Sequence, residues 1–369
     1  MSYPVSYRRD LRAVLPSSLL SVVGLLALSL LFQPTSAFAA SKELRVEVQT
    51  HPWETPLSGC RAVVDPRSGA LFVYGGARNS VRDGKAAFDF DRSVRRNRVS
   101  KTLGEWAPLP TEGDAPTPRS YGSLVLHKKG RSAFLFGGFD PAFKGDVWEL
   151  SLGKKGGWKQ LHAGGEGAPS ARDAHVACDD GTGRGFLVFG GLGTGGITND
   201  LWHWSYKSKS WSQITTKEGP APRFTSALCK SDKHTAIVIG GFNGQAKPLG
   251  EVWQLDTRKH AWKRLADLPE AVSAPAAVWH PKLERVIVLG GSTAAGAASK
   301  AVWSYDPKGD AWTKIGELSE AVAHSTAVYS KKSDSVILIG GTTSHFAAAH
   351  PKQLIQEVRI VHEKSSATR

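Results

Sequence analysis

Three arginines recur at a nearly constant interval along the chain. They are Arg119, Arg172 and Arg223, which are 53 and 51 residues apart. A guanidinium group stays charged and offers a planar fork of donors that matches a carboxylate. If a repeating fold brings these arginines together, they form a binding site for an acidic ligand. Arg78 and Asn79, which follow a glycine pair, are predicted to belong to the same site.

Two histidines, His175 and His324, are the groups best placed for acid or base chemistry near such a site. A catalytic acid or base must lie beside the reacting atom, and histidine titrates in the useful pH range. Both positions also suit a packed core residue, so that interpretation stays open. The chain contains no HExxH, GxSxG, Walker or CxxC motif. We therefore predict no metal site and no cofactor.

The elements that would position these residues come from a repeat. Four apolar residues followed by two glycines occur six times, and the spacings between successive pairs are 62, 53, 50, 50 and 50 residues. A fixed period near 50 residues predicts a repeat architecture. An apolar run without alternation predicts a strand buried on both faces, and the glycines allow a turn where a side chain would collide. The second glycines of the pairs are Gly76, Gly138, Gly191, Gly241, Gly291 and Gly341.

Aromatic residues keep the same period. One follows each of the first five glycine pairs in a predicted third strand: Phe88, Trp148, Trp202, Trp253 and Trp303. A second tryptophan follows in a predicted fourth strand: Trp158, Trp211, Trp262 and Trp312, with Trp106 fitting if the first unit carries extra residues. Four strands per unit make one blade of a propeller, with the tryptophans filling the gaps between blades.

These six glycine pairs, in phase with paired aromatics, resemble the Kelch-repeat β-propellers, including the central domain of galactose oxidase. The resemblance implies an all-β, six-bladed propeller of four-stranded antiparallel blades, which we place over residues 40–363. The last blade lacks its second tryptophan, so an N-terminal strand is expected to complete it and close the ring. Residues 43–49 are the preferred closing strand, and residues 52–57 are the alternative.

In Kelch domains that bind peptides, arginines at matching positions surround a central pocket. The resemblance thus implies that Arg119, Arg172 and Arg223 line a pocket on the face that carries the glycine pairs. Blades 5 and 6 are expected to place Ser273 and Ala323 at the arginine position. The alternative is that the arginines cap strand ends and pair with loop carboxylates, of which Asp173 is one.

A basic segment, RSVRRNRVSK at residues 92–101, is predicted to be an insertion between the third and fourth strands of blade 1. It contains five positive charges and no acid: Arg92, Arg95, Arg96, Arg98 and Lys101. Such a run is either a solvated loop or a polyanion-binding loop that docks to an acidic surface.

The N-terminus predicts export. Residues 1–39 combine early arginines, a short apolar run and an A-x-A sequence, which together are typical of a cleaved signal peptide. The product is expected in the periplasm or outside the cell, as a monomer with a disordered tail at residues 364–369. The formal charge of +14 favours anionic partners. Export makes the anionic cell-envelope surface a better candidate than nucleic acid, which we do not expect as a partner.

Two functions fit these features. The favoured one is an exported, non-catalytic Kelch propeller that binds protein or anionic glycan through its glycine-pair face. The alternative is a carbohydrate-active enzyme similar to the periplasmic sialic acid epimerases (mutarotases), which would use His175 or His324. The cysteines are Cys60, Cys178 and Cys229, an odd and sparse set that we expect to be buried free thiols.

Overall fold

A computed structural model describes residues 43–53, 57–82, 85–111, 113–153, 156–245, 247–343 and 354–362, without the side chains of residues 79–82, 85, 86 and 354. The predicted signal peptide and C-terminal tail lie outside the described residues. The described chain forms β-strands only, arranged as six main antiparallel sheets and one two-stranded hairpin. The predicted fold class, a six-bladed propeller of four-stranded blades, is confirmed.

The strands of each blade are named inner, second, third and outer, starting from the central axis. Blade 1 contains Arg61–Val64, Ala70–Tyr74, Val94–Arg98 and Trp106–Pro108; blade 2 contains Ser123–Leu126, Ser132–Phe136, Val147–Ser151 and Trp158–His162. Blade 3 contains Val176–Asp179, Gly185–Gly193, Gly196–Ser205 and Ser210–Ile214, with the short strand Arg172–Asp173 added to its second strand. Blade 4 contains Ala227–Lys230, Thr235–Ile239, Val252–Asp256 and Ala261–Leu265. Blade 5 contains Ala276–His280, Arg285–Leu289, Ala301–Asp306 and Ala311–Glu317.

Blade 6 joins the two ends of the described chain. Thr326–Ser330, Ser335–Ile339 and Leu354–His362 are its inner, second and third strands, and Leu44–Pro52 is its outer strand. The two terminal strands pair from Leu44 opposite His362 to Pro52 opposite Leu354. The closing strand therefore contains most of the preferred 43–49 segment and not the alternative. Trp53 lies just beyond the strand, buried, with its ring 4.8 Å from that of Trp106.

A closed ring of six backbone hydrogen bonds surrounds the central axis. One residue per blade, just before the inner strand, donates its N–H to the carbonyl of the matching residue in the preceding blade, over 2.7–3.0 Å. All six have positive φ, between 49° and 64°. These ring residues are Gly59, Tyr121, Ala174, Thr225, Ala274 and His324. The bond from Gly59 to the carbonyl of His324 joins blade 1 to blade 6, so the circle is complete.

The glycine pairs hold adjacent blades together. In the pair of blade 5, Gly291 N–H donates to the carbonyl of Val322 in blade 6 over 2.8 Å. A Cβ added to Gly290 would lie 2.1 Å from the same carbonyl oxygen, closer than two such atoms can approach. All six pairs share positive φ angles near 65° and 105°. The sequence repeat therefore exists because the backbone of the next blade occupies the space of a side chain.

The tryptophans of the outer strands fill the gaps between blades, as expected. Trp158 packs its ring 4.9 Å from that of Tyr74 in blade 1, and Trp211 lies 4.8 Å from Phe136 in blade 2. Trp262 lies 4.8 Å from Phe189 in blade 3. In each case the partner is the last apolar residue before the glycine pair of the preceding blade.

Blade 1 differs from the prediction. Its extra residues form a hairpin, Ala77–Arg82 paired with Lys85–Phe90, directly after the glycine pair. Phe88 belongs to this hairpin, so it is not the third-strand aromatic. The third strand is Val94–Arg98, which pairs with Ala70–Tyr74. Half of the basic segment 92–101 is therefore the third strand itself and not an inserted loop, so the prediction of its location was wrong.

Two faces of the disc follow from this strand order. The GG face carries the loops after the glycine pairs and the connections from each outer strand to the next inner strand. The turn face carries the turns between inner and second strands and between third and outer strands. The inner strands begin at the GG face, which is where the ring of hydrogen bonds lies.

Candidate functional site

The three repeated arginines do not face a ligand pocket. Arg119, Arg172 and Arg223 are 1–2% exposed and are among the largest fully buried side chains. Arg172 binds both oxygens of Asp200 over 2.5 and 2.8 Å, and it also donates to the carbonyls of Ser170 and Gly190. The structure therefore argues against their predicted role as ligand contacts, because all three are buried and already hydrogen-bonded to protein groups.

Each buried arginine belongs to the same three-residue unit. Arg119 binds Asp146 over 2.5 and 3.0 Å, and Trp148 donates its indole N–H to that carboxylate over 2.7 Å. Arg172 with Asp200 and Trp202, and Arg223 with Glu251 and Trp253, repeat the arrangement. The alternative that the arginines pair with carboxylates therefore fits the structure, but Asp173 is not one of the partners. Asp146 and Glu251 lie directly before the third strands of their blades, and Asp200 lies within its third strand.

Blades without the arginine also lack the carboxylate. The carbonyls that accept from the second glycines belong to Arg119, Arg172 and Arg223 in blades 2 to 4, and to Val272 and Val322 in blades 5 and 6. These valines, and not Ser273 and Ala323, therefore occupy the arginine position. In blade 5 the carboxylate position is Ala301, and the indole N–H of Trp303 has no partner in the described chain.

A cavity of about 200 Å³ opens on the axis at the GG face. It is lined by five of the six ring residues, all except Gly59, and by the first residues of the inner strands. Its floor is apolar, because Ala62, Leu124, Ala177 and Leu228 come from successive inner strands. Its polar lining is Arg61, Tyr121, Ser123, His175, Thr225, Ser226, His324, Ser325 and Thr326.

Arg61 is the cation of this GG-side cavity. It begins the inner strand of blade 1, and the matching positions of the other blades hold Ser123, Val176, Ala227, Ala276 and Thr326. Its Nη1 donates to the carbonyl of Cys60 over 3.0 Å, and it forms no ion pair among the described residues. Burial lowers the pKa of Arg61, but a guanidinium remains charged at neutral pH.

Tyr121 and His324 form an aromatic wall beside Arg61. Their rings pack edge to face with centroids 5.5 Å apart. The Tyr121 ring lies over Gly59, because a Cβ added there would be 2.9 Å from three of its atoms. Burial raises the pKa of Tyr121 to about 12. At neutral pH its hydroxyl is therefore a neutral hydrogen-bonding group.

His175 also lines the cavity. It is 3% exposed, and its Nε2 lies 2.9 Å from Ser123 Oγ across the junction of blades 2 and 3. Its ring packs 5.0 Å from Phe136. Burial, followed by the positive charges of Arg172 and Arg61, lowers the pKa of His175 well below its usual value. The side chain is thus a neutral, packed residue.

Asp173 lies one residue before the ring position of blade 3. Its Oδ1 is buried with no hydrogen-bond partner among the described residues. Burial raises the pKa of Asp173 to about 7, and the charge of Arg61 opposes this rise only in part. At neutral pH this carboxyl is therefore close to its titration midpoint.

Asp173 should make folding less stable as the pH rises. Its pKa is about 7 when folded and about 4 when unfolded. Between these values the folded state holds a proton that the unfolded state has lost, so stability falls from pH 4 to pH 7. Asp173→Asn should therefore raise the free energy of unfolding by about 2–4 kcal/mol at pH 8 and have almost no effect at pH 4. Urea unfolding of both proteins at each pH tests this, and an equal effect at both would contradict it.

The remaining residues of the predicted binding site lie on the inserted hairpin. Arg78 is exposed on the GG face and lies opposite Asp89 in the backbone register of the hairpin. Asn79 lies opposite Phe88 in backbone register, and its side chain is outside the described part. Phe88 is 52% exposed, and Phe90 links the hairpin to Phe139 in blade 2 with ring centroids 6.1 Å apart.

The basic segment of blade 1 is divided between exposed and paired side chains. Arg92, Arg96, Arg98 and Lys101 are exposed, whereas Arg95 binds Asp91 over 2.8 Å. Arg95 lies opposite Val73, so it takes the place of the third-strand tryptophan of other blades. Four of the five predicted polyanion contacts are therefore available on the surface.

The three cysteines are free and buried, as expected. Burial raises the pKa of Cys60 to about 11 and that of Cys178 and Cys229 to about 12, so the thiols are unreactive at neutral pH. Among the described residues, no group of three or more His, Cys, Asp or Glu side chains could hold a metal ion. That part of the chain also contains no helix capable of crossing a membrane.

Arg61 and Tyr121 were missed from the sequence, although a signal existed. Aligning the six inner strands places one charged residue, Arg61, at their first position. Tyr121 lies two residues after the repeated Arg119, at the ring position where the other blades carry glycine, alanine, threonine or histidine. His324, which was predicted, does line the cavity.

The described chain is a six-bladed propeller with a cavity on its axis. A sequence model described as the KLHDC2/KLHL20/DRC7 Kelch-repeats domain matches residues 98–282, which is half of the chain. The chain therefore belongs to the Kelch-repeat family.

The relatives that match in sequence are larger proteins, and this chain spans less than half of their length. The chain is 33% identical over 161 residues to the flagellar outer arm dynein alpha chain of Chlamydomonas reinhardtii, covering 41% of this chain and 3% of that protein. It is 29% identical over 176 residues to human Kelch domain-containing protein 10, covering 45% of this chain and 39% of that protein. The solved structure of YjhT superposes with a TM-score of 0.63 at 16% identity, covering 85% of this chain and 97% of that one. This last likeness concerns the fold alone.

Proposed function

We propose that this protein is a non-catalytic binding scaffold that takes the acidic end of a ligand in its GG-side cavity. The observation that carries this proposal is Arg61, a cation on the cavity wall with no ion pair among the described residues. A charged group in such a place is most stable when an anion joins it. Hydroxyl groups of Thr225, Ser226 and Ser325 offer further hydrogen bonds.

The size of the cavity limits what enters it. Sites for drug-sized ligands span about 300–1,000 Å³, whereas this cavity measures about 200 Å³. It therefore accepts one sugar ring or the acidic end of a longer molecule, and the rest of the ligand lies across the GG face. An acidic glycan or the acidic end of a protein segment meets both conditions. We propose that this binding takes place outside the cytoplasm, after export of the chain.

Arg61→Gln should remove most of this binding. A hydrogen bond to a charged group contributes about 1.5–3 kcal/mol, so the dissociation constant should rise roughly 10- to 100-fold. The probes are N-acetylneuraminate, galacturonate and an acidic pentapeptide, each titrated calorimetrically at neutral pH. Thermal unfolding checks that the variant is folded. If the parent binds none of the three at millimolar concentration, or if folded Arg61→Gln binds as well as the parent, the proposal is wrong.

A catalytic role is the second candidate, and the position of His324 favours it. This imidazole lines the cavity beside Arg61 and Tyr121, where it could move a proton to or from a bound sugar. The activity would be of the sialic acid mutarotase type. Proton NMR of freshly dissolved N-acetylneuraminate measures anomer exchange directly. A rate above the buffer rate that His324→Gln abolishes would establish it, and an unchanged rate would leave the binding scaffold.

A further inference from the structure

The two faces of the disc carry different charge. Among the described residues, the turns of the turn face hold fifteen exposed lysine and arginine side chains and four exposed carboxylates. The loops of the GG face hold five exposed side chains of each sign. The large positive charge of the chain is therefore concentrated on the face away from the GG-side cavity.

The charges nearest the axis come from every blade. The turns between inner and second strands contain nine exposed basic side chains: Arg67, Lys128, Lys129, Arg131, Arg184, Lys233, Lys282, Lys331 and Lys332. Of these nine, Lys282 alone forms an ion pair within the described chain, with Asp334 over 2.6 Å. Most of this charge is thus free to meet an external anion.

Three of the five carboxylates in the same turns accept hydrogen bonds within their own turns, whereas Glu284 binds Lys308 and Asp334 binds Lys282. Asp65 accepts from Ser68 Oγ over 2.6 Å and from the Arg67 N–H over 3.1 Å. Asp180 accepts from the backbone of Thr182 and Gly183, and Asp232 accepts from the N–H of His234. The nine exposed basic side chains of these turns therefore outnumber their five carboxylates, and the turns keep a net positive charge.

The turn face is even and lacks an apolar anchor. All six inner turns contain four or five residues between the strands, so no turn projects far beyond the others. The exposed large apolar side chain of the described chain is Phe88, which lies on the hairpin of the GG face. Attraction at the turn face is therefore electrostatic.

We propose that the turn face docks on a planar surface of anionic lipid headgroups, with the GG-side cavity directed away from it. A linear polymer crossing the disc meets the turns of only a few blades, whereas a planar surface meets all six at once. Basic residues near an anionic membrane add about fivefold each to binding. This docking is independent of the ligand proposed for the cavity.

Vesicle sedimentation with the full chain tests the proposal. The probes are neutral phosphatidylcholine vesicles and vesicles that also contain phosphatidylglycerol; the neutral ones measure any binding through the apolar N-terminal segment. Parent protein should bind the anionic vesicles more strongly, and added salt should remove the difference because it screens exposed charges. A fourfold variant tests the turn face directly: Lys128→Glu, Lys129→Glu, Lys331→Glu and Lys332→Glu. Its preference for anionic over neutral vesicles should be at least about 100-fold weaker than that of the parent.

The matched control changes the same amount of charge on the GG face: Arg78→Glu, Lys217→Glu, Lys247→Glu and Lys300→Glu. It should keep most of the binding, and circular dichroism should show both variants folded. Equal loss in both variants would mean that net charge, and not the turn face, attracts the lipid. No preference of the parent for anionic vesicles, or charge-dependent retention on heparin without vesicle binding, would also overturn the proposal.

Discussion

Deleting residues 44–52 should destabilise the whole propeller. This segment is the outer strand of blade 6, and it pairs along its whole length with Leu354–His362. Without it, the last blade exposes an unpaired strand edge and the apolar surface that Val46 and Val48 cover. The deletion should lower the thermal midpoint by at least about 10 °C, since a loss of a few kcal/mol shifts a domain of this size by several degrees.

A milder pair of variants keeps this test informative if the deletion does not fold. Val46→Asn with Val48→Asn places two amides on the half-buried face of the strand and should lower stability by about 2–4 kcal/mol. Glu47→Asn with Gln49→Asn makes the same change on the exposed face and should be nearly neutral. Equal effects of the two pairs would contradict the assignment of this strand to blade 6.

Arg172→Val should be the most damaging single substitution among the basic residues. Removing one partner of a buried ion pair costs about 3–5 kcal/mol, because the other charge is left without compensation. Here Asp200 would keep only Trp202 and Thr198 near it. Urea unfolding should show this loss as a shift of the midpoint without a change of slope.

Blade 5 supplies the control for this prediction. It carries Val272 and Ala301 where blade 3 carries Arg172 and Asp200. The double variant Arg172→Val with Asp200→Ala gives blade 3 the same residue types as blade 5 at these two positions. It should recover at least half of the stability that Arg172→Val alone loses. A double variant as unstable as Arg172→Val alone would show that the damage comes from the backbone contacts of the arginine and not from the unpaired carboxylate.

The repeat made the fold predictable from the sequence. Each glycine pair marks a place where the next blade's backbone leaves no room for a Cβ, so the pattern reports tertiary packing directly. The blade 1 hairpin was misplaced because Phe88 follows Gly75 at the interval expected of a third-strand aromatic. Periodicity could not distinguish this exposed phenylalanine from a packed one.

The candidate site was harder to predict, since register gives the position of a residue along a blade and not the direction of its side chain. The arginines repeat because they stabilise blades, whereas the cavity is built from positions at which the blades differ. Arg61 and Tyr121 each occur once at their position. Repetition in the sequence therefore indicates the structural residues and not the residues that line the cavity.

Arg61 in the cavity, and not the buried arginines of blades 2 to 4, should contact the ligand. Titrating N-acetylneuraminate and galacturonate into Arg61→Gln and into the Arg172→Val, Asp200→Ala double variant compares the two locations in one experiment. We expect Arg61→Gln to lose binding roughly 10- to 100-fold, while the folded double variant binds like the parent. Full binding by Arg61→Gln together with loss in the double variant would contradict this expectation.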